Sequence, residues 1–135
     1  AVLRYSQNSN GFAAQPSRLL ESDDLAQGRR LTVDSEVIVS TADGTLLRFI
    51  NDQVSITLSQ AGIDRPLVAP ETAQSLSKNE IALLDAPNDR IVVFRRDGSF
   101  DRQYQHKDFR AASAFAIRDG HVYIFSDSRL RRVLW

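Results

Sequence analysis

The chain has no cysteine and no methionine among its 135 residues. Without cysteine there is no disulfide, no thiol nucleophile and no thiolate-bound metal. The redox compartment stays open, since a Cys-free chain suits either kind. The missing Met is what a segment of a longer chain would show. Net charge is absent too, with 17 Lys+Arg against 17 Asp+Glu. That balance argues against a nucleic-acid binder, which carries a basic excess or stripe. It argues equally against an acidic solvating tail. No run of about 18 apolar residues occurs, so no membrane insertion is expected. No leader is visible, since the sequence opens on the strand-like run Val2-Leu3-Arg4-Tyr5. The length suits one domain with an ordinary core.

What is present is uneven. Arginine outnumbers lysine 15 to 2, the lysines being Lys78 and Lys107. Arg offers a rigid fork of donors suited to carboxylates. Genome composition with surface ion pairs is one reading of this bias. A surface that grips acidic groups is the other.

Apolar residues come in short runs, not at helical spacing. Val37-Ile38-Val39, Ile81-Ala82-Leu83-Leu84, Ile91-Val92-Val93-Phe94 and Val122-Tyr123-Ile124-Phe125 are rich in β-branched and aromatic types. Asp43-Gly44, Pro87-Asn88-Asp89, Asp97-Gly98 and Asp119-Gly120 separate them. This pattern predicts strands joined by hairpins. Continuous apolar runs predict strands covered on both faces. Ser17–Leu20 is read as a strand followed by a loop, although Ser22 or Asp23 could cap a turn ending at Gly28. Residues 59–71 and 105–111 read as connecting loops.

An internal repeat decides the fold. The strands opening at Glu36, Glu80 and His121 recur after 44 and 41 residues. The strands closing at Tyr5, Phe49, Phe94 and Val133 recur after 44, 45 and 39. Two strand positions keep one period. A period of roughly 40–45 with four strands per unit predicts a β-propeller blade. The expected fold is all-β, a propeller segment of about three four-stranded antiparallel blades. Its expected parts are a partial blade over 1–29, blades over 30–71 and 72–112, and a partial blade over 113–135. A β-sandwich of the same strands is the alternative, but it gives no reason for the repeat.

The middle unit resembles the NHL repeat of β-propellers. Asp85, Asn88, Arg90, Ile91, Phe94, Asp97 and Gly98 fall on that pattern within residues 85–100. The first unit keeps Leu46 and Phe49 but not the Asn and Arg, and the last keeps Asp127, Arg129 and Leu130 in shortened form. The resemblance implies a ring, mostly of six blades, used as a binding platform, often within larger bacterial envelope or signalling proteins. Read residue by residue, the motif is structural. Asp85 at a strand end can accept from turn amides, Asn88 tolerates the left-handed conformation, Arg90 can pair with Asp85 across the turn, Phe94 packs, and Asp97-Gly98 turns the hairpin.

Catalytic constellations are thin. The only histidines are His106 and His121, one in a loop and one opening a strand, so a catalytic zinc set is not expected. No Asp-x-Asp-x-Asp-Gly loop, Gly-x-Ser-x-Gly or clustered glycine pattern occurs. Asp23 and Asp24 are the sole adjacent carboxylates. No cofactor or metal is expected. The expected role is a non-catalytic interaction module for a protein or carbohydrate partner. A propeller enzyme, hydrolase or lyase, with its site in the central channel is the rival, and a structural spacer is the third reading. Binding residues collect on loops held by a rigid scaffold. The loop face would carry Asp43, Gln60 and Asp108 beside the partner-binding candidates Arg65, Asp89, Arg90, His106, Lys107 and Arg110. Arg65 and Arg110 are the preferred anchors. Three blades leave open edges and bare apolar faces, so further blades or a second copy are expected to complete the ring.

Overall fold

The computed structural model describes residues 1–33, 37–41, 45–50, 53–68, 70 and 72–135. Among these, every regular element longer than five residues is a strand, and the sheets are small and antiparallel. Strands β1 (Val2–Arg4) and β4 (Ser17–Leu20) pair, with a short hairpin of β2 (Gln7–Asn8) and β3 (Gly11–Phe12) between them. Next comes a four-stranded sheet of β5 (Gly28–Val33), β6 (Val37–Thr41), β7 (Leu46–Ile50) and β8 (Gln53–Thr57). A second four-stranded sheet holds β9 (Thr72–Ser77), β10 (Glu80–Asp85), β11 (Arg90–Arg95) and β12 (Phe100–Gln105). The last holds β13 (Ala112–Arg118), β14 (His121–Ser126) and β15 (Arg129–Leu134). In each of the larger sheets, spatial order follows chain order. Sequence neighbours are sheet neighbours, which short hairpins enforce.

Strand bounds agree with the sequence reading to within one or two residues wherever the ends are described. The strand start at Glu36 and the turn Asp43-Gly44 lie outside the described residues. Ser17–Leu20 is a strand as expected. The segment after it is not plain loop: Asp23–Gln27 form a 3-10 turn, with the Ser22 hydroxyl accepting from the Asp24 amide. Five residues are too few for a stable α-helix, so the tighter turn is used. Asp119 and Gly120 have φ of 51° and 73° between the paired Arg118 and His121. Both positive angles make the tight hairpin turn that matches strand twist. Gly98, at φ 88°, serves the β11–β12 connection, and the Asp97 carboxylate accepts from the Ser99 amide at 2.9 Å.

The sheets stack face against face. Leu20, Val39 and Phe49 join β1 and β4 to the first four-stranded sheet. Ile38, Leu46, Leu83, Val92 and Phe94 join the two four-stranded sheets. Leu84, Ile91, Val93, Val122 and Ile124 join the second to the last. The second four-stranded sheet is therefore covered on both sides, and Ile91, Val92, Val93 and Phe94 are all 0 % exposed. That is why its strands read as unbroken apolar runs. Phe94 meets the edge of Phe100 at 6.5 Å, a favourable aromatic geometry.

Candidate functional site

The β10–β11 connection organises one end of the stack. Ala86–Asn88 form a 3-10 turn, started by Pro87, whose fixed φ and missing N–H suit a helical first turn. Asp89 closes it at φ 56°. The left-handed position thus belongs to Asp89, not to Asn88 as the sequence suggested. The turn winds through residue 88, and the reversal falls one residue later. Asp tolerates that conformation better than most non-glycine residues.

Asn88 has a different task. Its amide nitrogen donates to the Asp85 carboxylate at 2.9 Å and to the Pro66 carbonyl at 3.0 Å. Asp85 is an acceptor as expected, and its backbone donor comes from a distant connection. Its carboxylate accepts from the Val68 amide in the β8–β9 connection, at 3.2 Å, rather than capping its own turn. Arg90 completes this clasp. Its Nε donates to Asp85 at 2.8 Å. One terminal nitrogen donates to Asp64 at 2.6 Å and Gln103 at 2.9 Å, the other to the carbonyls of Arg65 and Pro66. All five guanidinium donors are used. The side chains of Arg90 and Asp85 are both 0 % exposed. Arg90 therefore lies inside the protein, tying residues 64–66 to the sheet, and a partner cannot reach it.

The remaining candidates surround this clasp. Arg110 forks onto Asp89, with Nε and Nη2 donating at 2.9 and 2.7 Å. Those hydrogen bonds hold the Asp89 carboxyl below the ordinary carboxylate range; partial burial opposes them, and the charges of Arg110 and Arg65 add to them. The same pair holds the Arg110 guanidinium above its ordinary value. Arg65 donates to the Asn88 carbonyl at 3.4 Å and sits 3.6 Å from Asp64, half-exposed. Partial burial pushes the Asp64 carboxyl up, but the Gln103 hydrogen bond and the charges of Arg90 and Arg65 outweigh it and bring it below the ordinary range. His106 receives the Asp108 amide on Nδ1 at 3.3 Å and so caps the 3-10 turn Lys107–Phe109. Lys107 is exposed. Asp108 pairs with Arg131 at 3.0 Å, and Gln60 accepts from the Leu67 amide at 2.8 Å. Asp43 lies outside the described residues.

The structure thus gathers Arg65, Asp89 and Arg110 around one turn, with His106 joined to it through its own amide, which donates to the Asp89 carbonyl at 3.0 Å. Sequence reasoning missed Asp64 and Gln103, which complete the Arg90 shell. Their only signal was that a buried Arg needs more acceptors than one carboxylate supplies.

Among the described residues, no group of three or more His, Asp or Glu is placed to hold a metal ion. His106 and His121 are separated by the length of β13, roughly 20 Å of strand. A crevice between the two four-stranded sheets, lined partly by Ser40, Pro70 and Thr72, has a volume of about 10 Å³, room for no more than a water. A wider, open depression of about 510 Å³ lies among Asn79, Glu80, Arg95, Arg96, Asp97 and Asp101. Comparison with protein-family models, with curated proteins and with solved structures finds no match to this chain.

Proposed function

We propose that the chain is an NHL-like β-propeller segment that acts as a binding module, without catalysis of its own. The observation that carries this reading is the pair of four-stranded meanders stacked in sequence order, with β5, β9 and β13 side by side. First strands that neighbour one another are what blades around a common axis produce, and they agree with the 41–45-residue period. A sandwich would instead pair two broad sheets once.

The binding face is the loop end that holds Arg65, Lys107 and Arg110. Its acids are paired with arginines, Asp64 with Arg90 and Arg65 and Asp89 with Arg110. Lys107 and the outer faces of Arg65 and Arg110 are the cationic groups open to a ligand. That chemistry fits a partner bearing carboxylates, an acidic protein segment or an acidic carbohydrate. Arg65 is the stronger anchor, because its fork is only lightly held, whereas Arg110 must leave Asp89 to bind anew.

The test is a binding screen on an acidic-peptide library and a glycan array, repeated with Arg65→Ala/Lys107→Ala. Carboxylate-bearing ligands that bind the wild type and lose most affinity to the variant, with unchanged circular dichroism, are expected. Undiminished binding by the variant would place the binding surface elsewhere.

A further inference from the structure

The inner sheets obey one rule of facing. Side chains alternate between a backward face, toward the preceding sheet, and an onward face, toward the next. In β10 and β11, Ile81, Leu83, Val92 and Phe94 look backward. Ala82, Leu84, Ile91 and Val93 look onward. In β6 and β7, Val37, Val39 and Phe49 look backward, while Ile38 and Leu46 look onward. Every interface inside the chain therefore joins an onward face to a backward one.

The last sheet keeps the rule on one side only. Val122 and Ile124 look backward and are buried. Their alternates in β14 are Tyr123 and Phe125, and Phe125 pairs with Leu130 of β15. By the repeat, Phe125 stands where Leu84 stands and Leu130 where Ile91 stands. Leu84 and Ile91 are 0 % exposed, whereas Phe125 is 47 %, Leu130 71 % and Leu134 81 % exposed. At the other end of the stack, Leu3 and Tyr5 stand where Val92 and Phe94 stand. Those two are 0 % exposed, but Leu3 is 50 % and Tyr5 52 %. One uncovered onward face and one uncovered backward face result.

We propose that these two faces dock on each other between two copies of this chain, head to tail. The face of Phe125, Leu130 and Leu134 on one copy covers the face of Leu3 and Tyr5 on the second. The proposal rests on the repeat reading above. Exposed apolar side chains gathered on one face mark an interaction site, and continuity with the three interior interfaces specifies its mate. A face-to-face pair of like ends would join two onward faces, which no interface in the chain does. The contact is heterologous, so a docked pair keeps one face of each kind for further neighbours, and a ring forms if the rotation closes.

Sedimentation of the chain over a range of concentrations tests this, together with Leu130→Asp at the tail and Tyr5→Asp at the head. The wild type is expected to associate. Each variant alone should associate more weakly, by roughly 30-fold or more for a central apolar contact turned into a charge. An equimolar mixture of the two should recover a one-to-one pair, because each supplies the face the other lacks. A wild type monomeric at every concentration overturns the proposal, its faces then being covered by other repeats or another protein. So does a mixture that stays monomeric while both variants keep the wild-type circular dichroism. The repeat reading is checked apart from docking, by cross-strand NMR contacts between Leu84 and Ile91 and between Phe125 and Leu130. If both contacts persist in a monomer, only the docking falls; if they are absent, the repeat reading falls with it.

Discussion

The Arg90 guanidinium meets the Asp85 carboxylate at 2.8 Å with both side chains fully buried. A buried charge without its partner is among the costliest defects a core can carry. Arg90→Ala is therefore expected to destabilise the fold by about 3–5 kcal/mol. Arg90→Lys should also be clearly destabilising, because a lysine supplies a point charge and cannot span Asp85, Asp64, Gln103 and two carbonyls. Urea denaturation of both variants checks this; a loss below about 1 kcal/mol in Arg90→Ala would show that the clasp is not a structural anchor.

Phe94 fills the space between the two four-stranded sheets and is 0 % exposed. Phe94→Ala removes both its transfer energy and its packing against Phe100. The expected cost is about 3–5 kcal/mol. Val68, 48 % exposed, is the control: Val68→Ala should change stability by less than about 0.5 kcal/mol. Thermal unfolding of the two variants side by side reads the contrast.

Gly98 turns the β11–β12 connection at φ 88°. Any Cβ there meets the left-handed penalty, so Gly98→Ala should cost about 1–2 kcal/mol. Gly98→Asn should cost less than Gly98→Ala, because Asn visits that region more readily. The order of the two melting temperatures decides it.

Acid should weaken the fold through carboxylates held below their ordinary range. Asp89 is lowered by the hydrogen bonds from Arg110, and Asp97 by those from Ser99. Asp101 is lowered chiefly by its hydrogen bond with Arg102. The unfolded chain binds protons on these groups at higher pH than the folded one does. Stability therefore rises with pH across that window. It is fully present above the unfolded value of about 3.9 and is lost as pH falls through the folded values. Urea midpoints measured across this range should fall as pH falls, and Asp89→Asn should flatten part of the slope. An unchanged slope in that variant would show that the Asp89–Arg110 pair does not contribute.

Much of the fold was legible because its signals are local. Val, Ile and Phe runs bounded by Asp-Gly turns specify strand, hairpin and order without distant contacts. Period alone related Leu46, Ile91 and Leu130, and the structure places the first two on onward faces. The site was legible only in part. Asp85, Asn88 and Arg90 were visible as a motif, but their partners Asp64, Pro66 and Val68 come from a connection some 20 residues earlier. Nothing local marks such a partner.

The sequence by itself determined the all-β character, the strand order and the hairpin turns at Asp97-Gly98 and Asp119-Gly120, since each follows from neighbours along the chain. Tertiary structure alone decided that Arg90 is interior while Arg110 is on the surface. Both are arginines beside loops, and only the return of residues 64–66 over the β10–β11 turn surrounds one with acceptors and leaves the other in water.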